Sequence, residues 1–254
     1  MGRAEAACYA AHMPPESTSR LSIVVLTGAG VSADSGVPTF RDNGGLWEGQ
    51  RVEDVATPEA WVRDPRTVWR FYQLRRAALD TVAPNAAHRA LAQLEAGLVE
   101  RGQRFTLISQ NVDDLHQRAG SRPLAMHGSL SILACEACGG TVRDREHLEL
   151  EQFVACSACG HEPLRPDVVW FGEMPRFMDE IDAAVRGATH FLSVGTSGNV
   201  YPAAGLLALA RAVGAQTIVN SLDPPENLDP HDQFLPGRAA EVVPSLVEQW
   251  LADW

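Results

Sequence analysis

Lysine is absent from this chain of 254 residues: all 21 basic residues are arginine, against 32 acidic ones, for a formal net charge of −11. That balance excludes a nucleic-acid scaffold, which needs a basic footprint to neutralise phosphates. It leaves cationic partners such as basic peptide tails, whose approach a net negative surface favours. Also missing is any run of about 18 consecutive apolar residues, so no membrane partner is expected. The first 20 residues lack the basic-then-apolar layout of a signal peptide, and Ala6 stands where N-myristoylation wants Ser or Thr. The expectation is a flexible tail over 1–20 on a cytoplasmic protein. With 45% hydrophobic and 21% charged residues, the rest has the size of one large domain, or one domain carrying an insertion.

Cysteines are few, and four of the five are paired in sequence. Cys8 lies in the tail, whereas Cys135, Cys138, Cys156 and Cys159 form two C-x-x-C pairs separated by 17 residues. Two tight knuckles joined by a hairpin supply the four thiolates that tetrahedral zinc requires. Two disulfides or redox pairs are the alternative, which a reducing cytoplasm disfavours. Four thiolates leave no open position for water, so the zinc is expected to be structural, with no catalytic metal and with His161 spare.

Short apolar, β-branched runs mark buried strands at Leu21 to Thr27, Arg104 to Gln110, Asp167 to Phe171, His190 to Val194 and Gln216 to Asn220. Helical spacing marks Asn85 to Glu100, with Asn85 as N-cap, as well as Met178 to Arg186 and Tyr201 to Val213. Strands alternating with helices predict an α/β fold, a parallel sheet covered on both faces. Two segments break the rhythm. Thr39 to Val82 is Gly-rich and then helical, with Pro58 and Pro65 where helices begin, and Ser131 to Arg165 carries the cysteines. Together they predict a smaller lobe inserted into the sheet domain.

The first strand ends in Gly28-Ala29-Gly30-Val31-Ser32-Ala33-Asp34-Ser35-Gly36, a turn whose glycines let backbone amides approach a pyrophosphate at a helix start. A tight strand-to-helix turn without a ligand fits the same residues. Ligands in open α/β sheets bind beyond the carboxyl ends of the strands, and polar residues follow each of them: Gln110-Asn111-Val112-Asp113, Gly195-Thr196-Ser197 and Asn220-Ser221. Their amides and hydroxyls suit ribose and carboxamide recognition, although Asn111 or Asp113 also fits a helix cap. His127, beside Gly128, is a candidate general base with space for a ligand, or equally a structural histidine.

In their order and spacing, GAGVSADSGVPTFR, SQNVDDLH, MHGS, the two C-x-x-C pairs, RPDVVWFGE, GTSGNVYPA and VNS resemble the sirtuin family of NAD-dependent protein lysine deacylases, from Leu21 to the C-terminus. The resemblance implies a Rossmann-like NAD-binding domain over 21–42, 83–130 and 166–254. It also implies a cofactor loop with a helical insertion over 43–82 and a zinc module over 131–165. The implied cofactors are NAD and one structural zinc, and the implied substrates are acyl-lysine proteins or peptides bound by a monomer. The amide oxygen of the acyl-lysine would attack C1′ of the nicotinamide ribose, and His127 would act as base on a ribose hydroxyl. Free lysine, nicotinamide and O-acyl-ADP-ribose would result.

By the same resemblance Asn111 and Asp113 hold the carboxamide, and Phe40 and Arg41 belong to the loop closing over NAD. Gly28, Ala29, Gly30, Asp34, Gln110, Gly195, Thr196, Ser197, Asn220, Ser221 and Ala239 line the rest of the cofactor. Val169, Trp170, Phe171 and Gly172 with Glu173, and Asn199 with Val200, pair with the substrate backbone as strands. One departure is Leu222, where many relatives carry an acidic residue that would contact the adenosine ribose. Tyr72 and Arg75, three apart and so on one helix face, resemble the Tyr-x-x-Arg pair of desuccinylase-type sirtuins. A guanidinium and a phenol suit the carboxylate of succinyl-, malonyl- or glutaryl-lysine, with acetyl-lysine accepted too. A solvated face is the plainer alternative, since Arg76 lies alongside. The rival functions are a mono-ADP-ribosyltransferase or NAD hydrolase, and a non-catalytic NAD-binding zinc module. A lysine-free chain would offer its own activity no internal acyl-lysine.

Overall fold

The computed structural model of the chain describes residues 20–38, 46–47 and 50–253. Its main sheet has six parallel strands in the order Gln233–Pro236, Gln216–Ser221, His190–Val194, Ser22–Thr27, Arg104–Ser109 and Leu124–Ala125. The central strand, Ser22–Thr27, is buried at all six positions, which explains its unbroken apolar run: both faces of a parallel sheet are covered. One face packs Ile23, Val25 and Leu107 against the helices Ala86–Glu100 and Ala239–Asp253. The other packs Val24, Leu26 and Phe191 against Met178–Arg186 and Gly205–Ala212.

A smaller lobe has its own core, in which Trp61, Trp69, Phe71, Tyr72 and Trp170 meet Cys135 and Cys156. Its helices Pro58–Arg63 and Pro65–Ala78 start at the two prolines expected to open them, and Thr57 and Asp64 cap them through Ala60 N and Thr67 N. Its three-stranded antiparallel sheet runs in the order Thr141–Arg143, Gly128–Ala134, Arg165–Val168. The run from Asp167 to Phe171, expected among the strands of the main sheet, therefore belongs to the small lobe. Only its first part is strand, because Pro166 is tolerated at an edge and Glu173 caps the amide of Trp170. Similarly, Tyr201 to Ala204 forms a turn before the helix rather than its first turn.

A buried ionic seam joins the lobe to the main domain. Asp114 accepts Arg145 and lies 3.7 Å from Arg118, while Arg145 also reaches Asp80. Within the lobe itself, Arg76 pairs with Asp144 at 3.3 Å, both almost wholly buried. Removing one member of such a pair costs about 3–5 kcal/mol because the other charge is left buried alone.

The order in which strands are added to the sheet reverses between the parallel neighbours Ser22–Thr27 and His190–Val194, and there two loops touch through their backbones. Gly28 N donates to Val194 O and Gly30 N to Gly195 O, both at 2.9 Å. A Cβ on Gly30 would lie 2.6 Å from the Cα of Gly195, and one on Gly195, whose φ is +62°, would lie 2.5 Å from Val31 N. Replacing either glycine with alanine should therefore cost about 1–3 kcal/mol or more from overpacking alone, read as a lower urea midpoint with unchanged slope.

Candidate active site

The carboxyl ends of the parallel strands and the junction with the small lobe enclose the expected polar residues. His127 leaves the short strand Leu124–Ala125 and leads into Gly128–Ala134. Its Nδ1 lies 2.8 Å from the carbonyl oxygen of Gln110. A carbonyl only accepts, so Nδ1 carries the proton and Nε2 keeps its lone pair. Burial pushes the pKa of His127 below the ordinary histidine value, opposed by the bond to Gln110. The ring is thus neutral and oriented, as a base requires. Gly128 has a different task from the one expected. At φ +82°, a Cβ there would stand 2.0 Å from Asp167 O, so the glycine admits the neighbouring strand rather than leaving room for a ligand.

Asn111 and Asp113 converge on one hydroxyl. Asn111 Nδ2 donates to Ser32 Oγ (3.0 Å) and to Gly28 O (3.2 Å), and Ser32 Oγ donates to Asp113 Oδ2 (2.9 Å). His88 Nδ1 accepts from Asn85 N, so its Nε2 proton faces Ser32 Oγ, 3.4 Å away. Ser32 thereby accepts two bonds and donates one, its full capacity. Burial raises the pKa of Asp113, with the bonds from Leu115 N and Ser32 opposing. Burial also lowers His88 to about 4 and, beside it, His116 to about 3. Sequence reasoning places Ser32 in the glycine turn but gives no role to it, to His88 or to His116. The signal for His88 was present, since it stands at the third helical position after Asn85 and completes a capping box.

Elsewhere on the rim, Thr196 Oγ1 bonds Ser193 Oγ at 2.9 Å, and Ser197 O accepts from Glu226 N. Ser221 Oγ donates to Asp223 O. Asp34 pairs with Arg238 and accepts from Ala240 N, next to Ala239 at the start of the last helix. Ala29 sits in the helical region at the turn. The amides of Gly28 and Gly30 are engaged by the facing loop. Asn220 Nδ2 donates to Leu235 O and Gly237 O, whereas its Oδ1 is buried with no partner. An orphan acceptor at this edge fits a ligand hydroxyl or amine, as NAD would present. Phe40 and Arg41 lie outside the described residues. Leu222 is exposed.

The segments expected to pair with substrate are already bonded within the chain. Val169 N donates to His127 O, Trp170 N to Glu173 Oε2, and Phe171 N to Ala56 O. Neither Val169 to Gly172 nor Asn199 to Val200 is a strand here. Tyr72 and Arg75 are buried rather than on a solvated face. Trp170 Nε1 donates to Tyr72 Oη at 2.9 Å. The guanidinium of Arg75 covers the ring of Phe71 at 3.2 Å and donates to Phe71 O. Arg76, beside them, is taken by Asp144.

The four cysteines come together, their sulfurs all within 4.8 Å of one another. Cys135 and Cys159 are 3.6 Å apart and Cys138 and Cys156 3.7 Å. A zinc–sulfur bond of about 2.3 Å implies tetrahedron edges of about 3.8 Å, so the four residues fit one structural zinc. His161 contributes only backbone groups: its carbonyl accepts from Cys156 N, and its amide bonds the sulfur of Cys159.

A family model described as the Sir2 family matches residues 28–202. A Caulobacter vibrioides protein named NAD-dependent protein deacylase is 50% identical over 234 residues, covering 91% of this chain and 98% of that protein. A Trypanosoma brucei brucei protein named NAD-dependent protein deacylase SIR2rp3 is 49% identical over 233 residues, covering 90% and 94%. Among solved structures, a Sir2 homologue in complex with NAD superposes with a TM-score of 0.83 at 39% identity, over 92% of this chain and 91% of the other. Sir2Af2 bound to a myristoylated histone peptide superposes with a TM-score of 0.72 at 33% identity, over 93% and 94%.

Two outcomes follow from the geometry. Nitrogen-detected NMR should place the His127 proton on Nδ1 and its titration midpoint below about 6.5, the value of a free histidine. The purified protein should carry one zinc per chain by elemental analysis, and a strong chelator should remove it together with the near-ultraviolet signal of the tryptophan-rich lobe.

Proposed function

Because the chain belongs to the Sir2 family, we propose that it is an NAD-dependent protein lysine deacylase that removes acetyl and acidic acyl groups, succinyl and malonyl among them. The observation that carries this reading is the neutral His127, its tautomer fixed by the carbonyl of Gln110, the residue before Asn111 on the strand-end segment that also carries Asp113. NAD, when bound, supplies a ribose C1′ that becomes electrophilic as nicotinamide departs. Asn111 and Asp113, oriented through Ser32, hold the carboxamide. His127 Nε2 takes the proton of a ribose hydroxyl, and the Gln110 carbonyl stabilises the charge this leaves on the ring. The walls of the small lobe would keep water out and hold an acyl-lysine amide close to where the ribose would lie. The peptide lies between Val169 to Glu173 and Asn199 to Val200.

Selectivity for acidic acyl groups rests on Tyr72 and Arg75. Both are buried in the lobe, and Trp170 links the substrate segment to Tyr72 directly. Arg75 turns from Phe71 to meet the carboxylate, exchanging a ring face for a charge-assisted bond. The division into an NAD domain, a loop and helical insertion over 43–82, and a zinc module is part of the same reading, with the strands Gly128–Ala134 and Arg165–Val168 counted with the small lobe rather than with the NAD domain. So are a monomeric state, a cytoplasmic setting with reduced thiols, and the exclusion of nucleic acid by the acidic balance. Among the described residues no helix is long and apolar enough to cross a membrane.

The test incubates protein and NAD with matched acetyl- and succinyl-lysine peptides and follows peptide, nicotinamide and O-acyl-ADP-ribose by mass spectrometry. Both peptides should be deacylated, and His127→Ala should lower kcat at least about 100-fold. Arg75→Met should cut succinyl removal about tenfold more than acetyl removal. Nicotinamide release without deacylated peptide would mean a hydrolase or ADP-ribosyltransferase instead, and turnover by His127→Ala would remove the base assignment.

A further inference from the structure

The indole of Trp170 is held more firmly than burial in an apolar core requires. The guanidinium of Arg165 stacks on one ring face at 3.5 Å, and Trp61 packs against it with ring centroids 5.9 Å apart. Arg165 is itself fixed by Glu173, with bonds of 2.8 and 3.0 Å, and the same carboxylate accepts the backbone amide of Trp170 at 2.7 Å. Arg165 also donates to Val168 O. Every part of this clamp fixes the direction of one group, the indole N–H, which ends 2.9 Å from Tyr72 Oη.

An indole nitrogen only donates, so in this bond the phenol is the acceptor. A phenolic O–H prefers the plane of its ring, which offers the proton two orientations. The indole hydrogen closes the one that faces it. Burial raises the pKa of Tyr72 above its usual value, opposed by the bond from Trp170, so the phenol stays a donor at any working pH. A benzothiophene ring in its place would keep the shape of the indole without setting that direction.

We infer that Trp170 is a positioning residue for acyl selectivity: by occupying the oxygen of Tyr72, its N–H turns the phenolic proton toward the acyl carboxylate that Arg75 binds. The inference rests on the proposed recognition of acidic acyl groups by Tyr72 and Arg75. Arg165 and Glu173 act one step further back, holding the indole in place.

The experiment measures kcat and KM for succinyl- and acetyl-lysine peptides with NAD for the wild type, Trp170→Phe, Tyr72→Phe, the double variant and Arg75→Met. Trp170→Phe should lower the succinyl-to-acetyl ratio of kcat/KM about fivefold to tenfold, the scale of one hydrogen bond, chiefly through the KM for succinyl peptide. Tyr72→Phe should lower it as much, and the double variant no further, because both changes delete one shared bond. Benzothienylalanine at position 170 keeps the indole shape without the N–H and should reproduce Trp170→Phe, which settles the matter if the phenylalanine variant folds poorly. The inference is overturned if the ratio stays constant while both activities fall together, or if the two single effects multiply in the double variant. If Arg75→Met leaves the ratio intact, recognition of the carboxylate fails and this inference with it. If Arg75→Met abolishes the preference while both changes at Trp170 preserve it, this inference alone fails.

Discussion

The contact on which the site depends is between two pieces of backbone. Gly28 and Gly30 on one loop and Gly195 on the other approach closely enough that no side chain fits between them, and the hydrogen bonds to Val194 O and Gly195 O lock that approach. The two loops follow neighbouring parallel strands whose connections run to opposite sides of the sheet, so a crevice opens where they part. The contact fixes the depth of the crevice floor. Ser32, one turn further on, then stands within reach of Asn111, Asp113 and His88. A side chain at any of the three glycines would push the floor outward and loosen everything bonded to Ser32.

The small lobe is built on other terms. Its core mixes tryptophans with cysteines, and its junction with the sheet domain is ionic, through Arg145 of the lobe and Asp114 of the sheet domain. Buried charges of this kind define one arrangement more than they add stability, since their desolvation offsets most of their attraction. With a zinc at the four sulfurs, the lobe has a covalent-strength anchor at its far end and a geometrically demanding seam at its near end. The aromatic cluster between them is where Tyr72 and Trp170 meet.

Much of this was legible in the sequence, for reasons that can be named. The central strands are short, β-branched and doubly buried, the helices at Pro58, Pro65 and Asn85 carry their own start signals, and the cysteine spacing has one good geometric solution. The last helix, Ala239–Asp253, is harder to see because Pro244 interrupts it, and the strand Gln233–Pro236 is four residues long and ends in proline at the sheet edge. Asp167 and Val168 read as another parallel strand because apolar content does not reveal which sheet a strand joins. At the site, residue types pointed correctly to polar strand ends, whereas the bonds through Ser32 join residues up to 81 positions apart. Gly128 shows the limit well: glycine beside histidine suggests space for a ligand, yet the space is taken by the backbone of Asp167.

One further consequence attaches to His127. Its ring is bonded to Gln110 at the end of a strand of the parallel sheet, while its main-chain oxygen accepts from Val169, which follows the lobe strand Arg165–Val168. The residue is therefore a pivot pin shared by both halves of the molecule. Because ring and carbonyl belong to one residue, the angle between the imidazole and the Val169 amide is set by that residue's own torsions rather than by the packing of two separate elements.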